Sequence, residues 1–515
     1  MAVAPSNERM VAGVAAASVS LGVAQLVGIL FGARADARAA ISSVAIDLTP
    51  GPIKEWAIQT LGSLDKLFLA IVVLVVIATI AAIAGTLETQ RRPLGSAVIA
   101  AAGVLGCISV LSRQDATALD TIPTVAGAAC GVAALRLLTR RFWPGRGDPE
   151  DAADHDGADA GRRRLVIFGL LGLGVTSGVA GAAVTRLVHS VAGDRKNFTL
   201  PRPRMSAPSI PADVQPSGVA LPSFITPSAD FYRVDTALTV PQLSHGDWRL
   251  RIHGMVDRET AYSFDDLADF DAIEMATTLT CVSNPVGGNL ISTGIWTGYP
   301  VADLLAAARV HADADMVLST SIDGFTAGTP LDALTDTRNA LLAVGLNGEP
   351  LPVEHGYPAR LVVPGLYGYV SATKWVVDME LTRFDRAQAY WTRMGWAPRA
   401  PIKTESRIDV PKGGQKVPMG SVVFGGVAWA QNRGVRAVEV RIDDGVWQPA
   451  ELGASYSNET WRLWSFPWHA KSPGKHNITV RAIDNTGAAQ TADRVGTVPD
   501  GATGWHMVDF TVSER

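Results

Sequence analysis

The sequence predicts three architectures in succession: an N-terminal α-helical membrane bundle, an α+β domain, and an all-β C-terminal domain. Three observations predict this. Mean hydropathy is +0.18 with 47% hydrophobic residues, and the apolar excess lies in roughly the first 190 positions. A proline-rich stretch then interrupts the chain. Beyond it come short β-rich runs with a few helices, and after about Ala400 helical signals stop. The expected boundaries are 1–192 for the membrane domain, 193–229 for a linker, 230–400 for the α+β domain and 401–515 for the all-β domain. The 515 residues carry a formal charge of −4, which gives no reason to expect nucleic acid as a partner.

Met10–Ala33, Leu67–Gly85, Leu94–Ser112 and Leu165–Thr185 are free of charged residues. Each is long enough to cross ~30 Å of hydrocarbon at ~1.5 Å per residue. Thr121–Leu135 is shorter and reaches span length only when extended past Asp120 or Arg136, which makes five helices in all. Arg91 and Arg92 follow the second span, and Arg136, Arg140, Arg141, Arg146 and Arg162–Arg164 follow the fourth. Positive loops stay in the cytoplasm, so the N-terminus is expected inside and everything after the fifth span outside. The Arg34–Lys66 loop, with four basic residues, pulls the other way. Only His189 lies near a span, at its edge, and no paired ionisable residues sit mid-span. An anchor is therefore the expected role of this part.

Gly193–Ala229 reads as an extended, semi-rigid tether with nothing from which to build a core. From Asp230, "DWRLRIHGMV" alternates like a strand, "SFDDLADF" opens like a capped helix and "VADLLAAARV" is helical. "ARLVVPGLYGYVSATKWVVDMEL" reads as strand, turn, strand. This is an α+β texture without regular βαβ units. Further on, "SVVFGGVAWA", "VRAVEVRIDDGVWQPAEL", "WRLWSFPWHA" and "HNITVRAIDNTG" alternate as strands between turns, the pattern of a small immunoglobulin-like sandwich.

Of the three cysteines, Cys107 and Cys130 fall in apolar spans, which leaves Cys281, in "TLTCVSNPVGG", without a disulfide partner. The residues alone leave three roles open for it. A small buried hydrophobe is the commonest. A nucleophile needs a histidine that sequence does not place. A metal ligand is the third, but one cysteine does not hold zinc, so a lone thiolate requires a cofactor that brings further donors.

"TLTCVSNPVGGNLISTGIWTGYPVADLL" and "LNGEPLPVEHGYPARLVVPGLYGYVSATKWV" together resemble the molybdopterin-binding domain of the sulfite oxidase family, and the strands after them resemble its C-terminal, dimerisation-type domain. The resemblance runs from about Asp230 to the C-terminus. It implies an α+β sulfite-oxidase-like molybdopterin-binding domain and a molybdenum–molybdopterin cofactor, whose metal Cys281 would ligate alongside the dithiolene sulfurs. It further implies that Arg233 lies near the metal, and that Tyr232, Arg233, Val234 and Asp235 line the cofactor. Asp323 would accept from the pterin, and His355 and Arg360 would reach the pterin and its phosphate. Lys374 would lie beside the phosphate, with the backbone of Ala372 and Thr373. Guanidinium forks and a lysine charge are what a buried phosphate needs for neutralisation.

Two departures bear on substrate. The cysteine element of sulfite oxidases continues Asn-Arg-Arg, whereas this chain has Asn284-Pro285-Val286. The family's active-site tyrosine falls in a segment resembling "YWTRMGW", where Trp396 stands here. Each charge-assisted hydrogen bond is worth ~1.5–3 kcal/mol, so sulfite is not the expected substrate. The expectation is two-electron oxygen-atom transfer on another small molecule. There is no CxxCH and no haem is expected in this chain, so electrons would pass to or from a cytochrome or a quinone-linked protein. Residues 161–174, "GRRRLVIFGLLGLG", resemble an internal twin-arginine signal, consistent with a multi-pass protein of the cytoplasmic membrane whose catalytic domain lies on the extracytoplasmic side. The resemblance also implies a homodimer. The alternative is a non-enzymatic, membrane-tethered adhesion or assembly module with a degenerate cofactor domain.

Overall fold

The structure is a computed structural model that describes residues 6–31, 35–37, 40–41, 49, 65–89, 92–112, 117–140, 156–234, 236–237 and 239–514. It divides into two compact units, one comprising the chain to Ser190 with Ala237–Gln242, the other Val191–Thr236 with Leu243–Arg515.

The first unit holds helices α1 (Ser6–Gly28), α2 (Asp65–Leu87), α3 (Leu94–Leu111), α4 (Ile122–Arg140) and α5 (Asp156–Val188). Among the described residues, five segments are long and apolar enough to cross a membrane, including Ala118–Thr139, the expected fourth. Helix α1 packs against α2, α4 and α5. Small residues make this possible: a Cβ on Gly13 would strike the Ala81 carbonyl, and one on Gly174 would strike the backbone of Ser18. At the α2–α3 turn the buried Glu88 carboxylate accepts from Ser96 N at 2.7 Å and Ser96 Oγ at 2.8 Å, so no charge is left bare there. Arg91, Arg141 and Arg146, on which the expected orientation partly rests, lie outside the described residues.

The second unit begins with α6 (Ala192–Asn197) and a long extended segment. The proline-rich stretch is extended as expected, but it is not a free tether. It is strapped onto the folded unit. Arg204 N donates to Ala272 O and Glu274 N to Met205 O, so the strap lengthens the sheet beside the strand that starts at Ile273. Val214 and Phe224 enter the main core, and Phe224 O accepts from Trp461 Nε1 at 2.9 Å. Prolines lack an N–H and so suit such an edge, while the few apolar side chains between them provide the burial that composition alone did not foretell.

Two sheets form the central region. One has the order β2-β1-β10-β5-β6, from β1 (Arg249–Gly254), β2 (Thr260–Ser263), β5 (Met316–Ser321), β6 (Thr326–Pro330) and β10 (Val376–Thr382). The other has the order β3-β4-β7-β8, from β3 (Ile273–Thr280), β4 (Ile291–Pro300), β7 (Leu341–Leu346) and β8 (Glu349–Pro350), with β9 (Arg360–Val362) also paired to β7. "VADLLAAARV" supplies α7 (Val301–Ala308), which buries Val301, Leu304 and Leu305. "SFDDLADF" makes only a 3₁₀ turn over Asp265–Asp269, where the Asp266 carboxylate takes Ser263 N at 2.7 Å and no second turn follows.

From Glu405 onward the described residues contain strands and no helix. They form one sheet of β11 (Glu405–Val410), β13 (Gly420–Trp429), β17 (Arg462–Ala470) and β16 (Glu451–Leu452). The other holds β12 (Lys416–Pro418), β19 (His506–Ser513), β18 (Gly474–Asp484), β14 (Val435–Ile442) and β15 (Gln448–Pro449). Phe424, Trp464 and Phe466 from the first sheet share a core with Val440, Ile478, Val480 and Phe510 from the second. The alternation read in the sequence is thus the inward face of each sheet. Val427, Trp429, Trp461 and Leu463 join the core of the central region instead, so the two β regions are packed continuously.

Candidate active site

Cys281 is the residue at which β3 ends. β3 is buried from Ala276 to Thr280 and pairs antiparallel with β4, which brings Thr280 opposite Ile291 and leaves a loop from Cys281 to Leu290. That loop is closed by its own polar groups. Cys281 N donates to Leu290 O at 3.0 Å, Asn284 N to Cys281 O at 3.1 Å, and Leu290 N to Asn284 Oδ1 at 2.9 Å. The all-β region holds it from outside: Arg407 Nη1 donates to Gly288 O at 3.0 Å, and the His506 imidazole occupies the space where Gly287 (φ +80°) has no side chain. Cys281 itself is half-buried.

Burial and the neighbouring charges of Arg407 and Arg494 pull the His506 imidazole down to about 4, and its Nδ1 accepts from Ile408 N at 3.0 Å. A histidine held neutral in the fold contributes stability that is complete above its ordinary 6.5 and is lost as pH falls through about 4. We expect the melting temperature of the wild type to fall relative to His506→Gln between pH 6.5 and 4, measured by calorimetry in detergent. Parallel curves would show that His506 does not carry this titration.

A second group of residues comes from β4, β9 and the segments around it. The Arg360 side chain is buried, its guanidinium 5.1 Å from the centre of the Trp296 ring. Its N–H groups reach only backbone carbonyls, of His355 at 3.0 Å and of Leu361 and Ala372 at 3.4 Å. No carboxylate among the described residues pairs with it, and burial pulls it down to about 10. His355 is buried with its ring edge-on to Phe231 at 5.7 Å, and Phe231 in turn meets Trp296 at 5.4 Å. Lys374 is bridged to Arg360 through the backbone, donates to Glu354 O at 3.3 Å and stands 4.7 Å from the Trp375 ring centre. Gly356 (φ +114°) closes this corner, since a Cβ there would press on both Arg360 and Lys374. Ala372 accepts from Arg360, while Thr373 hydrogen-bonds Ser319 Oγ at 2.8 Å.

Tyr232 links the two groups. Its phenol is pushed up by burial, then by the nearby Cys281 sulfur, and is drawn back down by Arg360. Tyr232, Cys281 and Arg360 therefore share one electrostatic neighbourhood. Gly368 lies against it, with the position of an added Cβ 3.7 Å from Tyr232 Oη and 3.9 Å from Thr280 O.

Of the expected residues, Tyr232, Cys281, His355, Arg360, Ala372, Thr373 and Lys374 are thus brought together. Arg233 and Val234 are exposed beside them, and Asp235 lies outside the described residues. Asp323 is not joined to the group by any contact among the described residues. Its carboxylate accepts from Phe325 N at 3.2 Å within the β5–β6 turn, the local role an Asp-Gly pair favours. Trp296, Phe231 and Tyr367 were not singled out from sequence. An apolar strand residue carries no local sign that a cation will lie on its ring.

The residues present fit a molybdopterin. A buried guanidinium without a counter-charge calls for an anion such as a phosphate. Buried Asn284 Nδ2 and Trp296 Nε1 have no hydrogen-bond partner, so donors stand ready for a polar ring system. Gly356 lets the backbone pack directly on Arg360 and Lys374, which holds the two cations in one corner. A single soft thiolate suits a metal whose remaining donors come with the cofactor.

Residues 237–391 match the family described as oxidoreductase molybdopterin binding domain. A Bacillus subtilis protein named uncharacterized oxidoreductase YuiH is 34% identical over 152 residues, which cover 30% of this chain and 73% of that protein. Mitochondrial sulfite oxidase of Rattus norvegicus is 30% identical over 312 residues, covering 51% of this chain and 57% of that protein. The chain belongs to the sulfite oxidase family. It carries a domain matching the oxidoreductase molybdopterin-binding family. The chain spans a little over half the length of the mitochondrial sulfite oxidases it matches. Among solved structures, the sulfane dehydrogenase SoxCD from Paracoccus pantotrophus is similar at 24% identity and a TM-score of 0.47, covering 53% of this chain and 76% of that one.

Proposed function

We propose that this protein is a membrane-anchored molybdenum-cofactor oxidoreductase that transfers an oxygen atom, with two electrons, to or from a small molecule other than sulfite, outside the cytoplasmic membrane. Its catalytic region would be residues 230–400, with an immunoglobulin-like sandwich over 401–515. Electrons would be exchanged with a separate cytochrome or quinone-linked protein. The observation that carries the reading is Arg360, a buried cation without a counter-charge that shares a neighbourhood with a lone cysteine.

When bound, the cofactor would supply a two-electron redox couple. Arg360 and Lys374 would neutralise its phosphate, and His355 and the Ala372–Thr373 backbone would orient the pterin. Cys281 would ligate the metal, and the tight Cys281–Leu290 loop would fix the direction of its sulfur. Val286 and Trp396 would take the places of two groups that suit sulfite. Trp396 is buried beside Tyr369, with ring centres 5.7 Å apart, and Trp391, at 6.3 Å. A pocket lined by them would favour a neutral substrate over an anion.

Metal and pterin analysis of full-length protein purified in detergent tests this. About one molybdenum per chain is expected, with a pterin in equal amount. Protein made with ample cofactor supply that contains neither would reject the reading in favour of a binding module.

A further inference from the structure

We propose that Arg407, seated on Asp409, is a positioning residue for the metal-ligand loop, through which the all-β region sets the direction of the Cys281 sulfur. The proposal rests on the reading of Cys281 as the metal ligand, and adds that part of the loop's shape is imposed from outside the cofactor region.

The loop from Cys281 to Leu290 is two turns in succession. The inner turn is fastened where β3 and β4 meet. Asn284 N donates to Cys281 O at 3.1 Å, Cys281 N to Leu290 O at 3.0 Å and Leu290 N to Asn284 Oδ1 at 2.9 Å. The outer turn, Pro285 to Gly288, has one bond of its own, from Gly288 N to Pro285 O at 2.8 Å. Its last two residues, Gly287 (φ +80°) and Gly288, bring no side chain to hold it. Glycine is the costliest residue to order, so this turn needs a wall to settle against.

One corner of the all-β region supplies that wall from two sides. Arg407 Nη1 donates to Gly288 O at 3.0 Å, and the His506 ring leaves no room for a Cβ on Gly287. His506 Nδ1 accepts from Ile408 N at 3.0 Å, so both contacts spring from the same two residues of β11 and move together.

Arg407 is aimed by local means. On β11 it stands opposite Val427 of β13, and the register slips between Ile408 and Val410, which makes Asp409 an extra residue. Such a bulge bends a strand and re-aims its side chains. Arg407 Nε lies 2.9 Å from Asp409 Oδ1, with the two side chains only 8% and 19% exposed. Gly426 permits the close packing of the strands, since a Cβ there would strike the Arg407 carbonyl. Burial raises the Asp409 carboxyl and Arg407 draws it back, so each charge depends on the other. A guanidinium fixed in this way has little freedom left to lose in reaching Gly288 O, unlike a solvated surface arginine.

The outer turn passes its position to the sulfur through Asn284. That residue precedes Pro285, a Cβ on Gly288 would meet its Oδ1, and its backbone and side chain together join Cys281 to Leu290. A misplacement of about 1 Å at a reacting centre costs about a hundredfold in rate, so a remote grip on this loop matters to the chemistry.

The test uses full-length protein in detergent. The variants are Arg407→Lys, Arg407→Met, and Arg407→Met combined with Asp409→Asn, which leaves no buried carboxylate unpaired. Hydrogen exchange of cofactor-free protein, read by mass spectrometry, should speed up about tenfold or more over residues 281–290 in both methionine variants, with β13 and β17 unchanged. In loaded protein the molybdenum content should stay near that of the wild type, since Arg360 and Lys374 would hold the cofactor, while the sulfur-to-metal absorption shifts. Arg407→Lys, which keeps a donor, should restore part of both signals. The double variant and Arg407→Lys carry the test where Arg407→Met alone does not fold. If Arg407 merely packs the all-β region, the variants will melt earlier but keep wild-type exchange in the loop and wild-type absorption, which overturns the proposal. Wild-type protein that contains no molybdenum rejects the functional reading, and the proposal with it, whatever the exchange rates.

Discussion

Cys281→Ser protein should fold, keep its pterin and lose turnover by about a hundredfold or more, a cost of at least about 3 kcal/mol in the transition state. The reasoning begins with the atom exchanged. Serine keeps the shape and the backbone bonds that close the loop, Cys281 N to Leu290 O and Asn284 N to Cys281 O, so the Cys281–Leu290 segment has no cause to rearrange. What changes is the donor: an alkoxide is harder than a thiolate and a poorer match for a metal already held by sulfur. The visible sulfur-to-metal absorption should change with the activity. If the cysteine were instead a small buried hydrophobe, the same substitution would lower the melting temperature and spare both turnover and spectrum. Equal pterin content in the variant, measured after oxidation to a fluorescent product, separates a lost ligand from a lost cofactor.

Arg360→Met should move two measurements in opposite directions. Without cofactor, the wild-type chain keeps a buried guanidinium that meets only carbonyls and is drawn down to about 10, so replacing it with an apolar chain of similar reach removes a desolvation cost. The cofactor-free variant should melt at or above the wild-type temperature. Cofactor content should fall by tenfold or more, because each charge-assisted bond to a phosphate is worth ~1.5–3 kcal/mol. Arg360→Lys should keep part of the binding, having the charge without the fork. A variant that is less stable without cofactor, yet binds pterin at wild-type levels, would reduce Arg360 to a packing residue.

The features legible in the sequence are those with a short-range signature. Charge-free runs of full span length marked four of the apolar helices and a shorter one marked the core of the fifth, and alternation marked β13, β14, β17 and β18, since both patterns record which face meets water or lipid. Cys281, His355, Arg360 and Lys374 were found through a resemblance spread over about a hundred positions, and the structure brings them together through the β7–β9 pairing and the Arg360–Lys374 bridge. Asp323 lies in the β5–β6 turn, where its carboxylate accepts from Phe325 N, a local role that an Asp-Gly pair announces in sequence. Val214 and Phe224 were hidden among prolines, and the partner that buries Phe224 lies more than 200 positions away at Trp461. Arg407 likewise acquires its character only from its seat on Asp409 and its reach to Gly288, which no local pattern records.

The strap running from Met205 to Phe231 has an implication for how the chain is organised. It completes the edge of β3, plugs the central core with Phe224 and hands its end to Tyr232 at the site, while Ala454 of the all-β region bonds back to its Asp213. The residues translated first among the folded β regions are therefore the ones that bind the later ones together. The second unit resembles a parcel tied by its own leading cord, and its all-β region and central region are not interchangeable cassettes that could be recombined at Asp230.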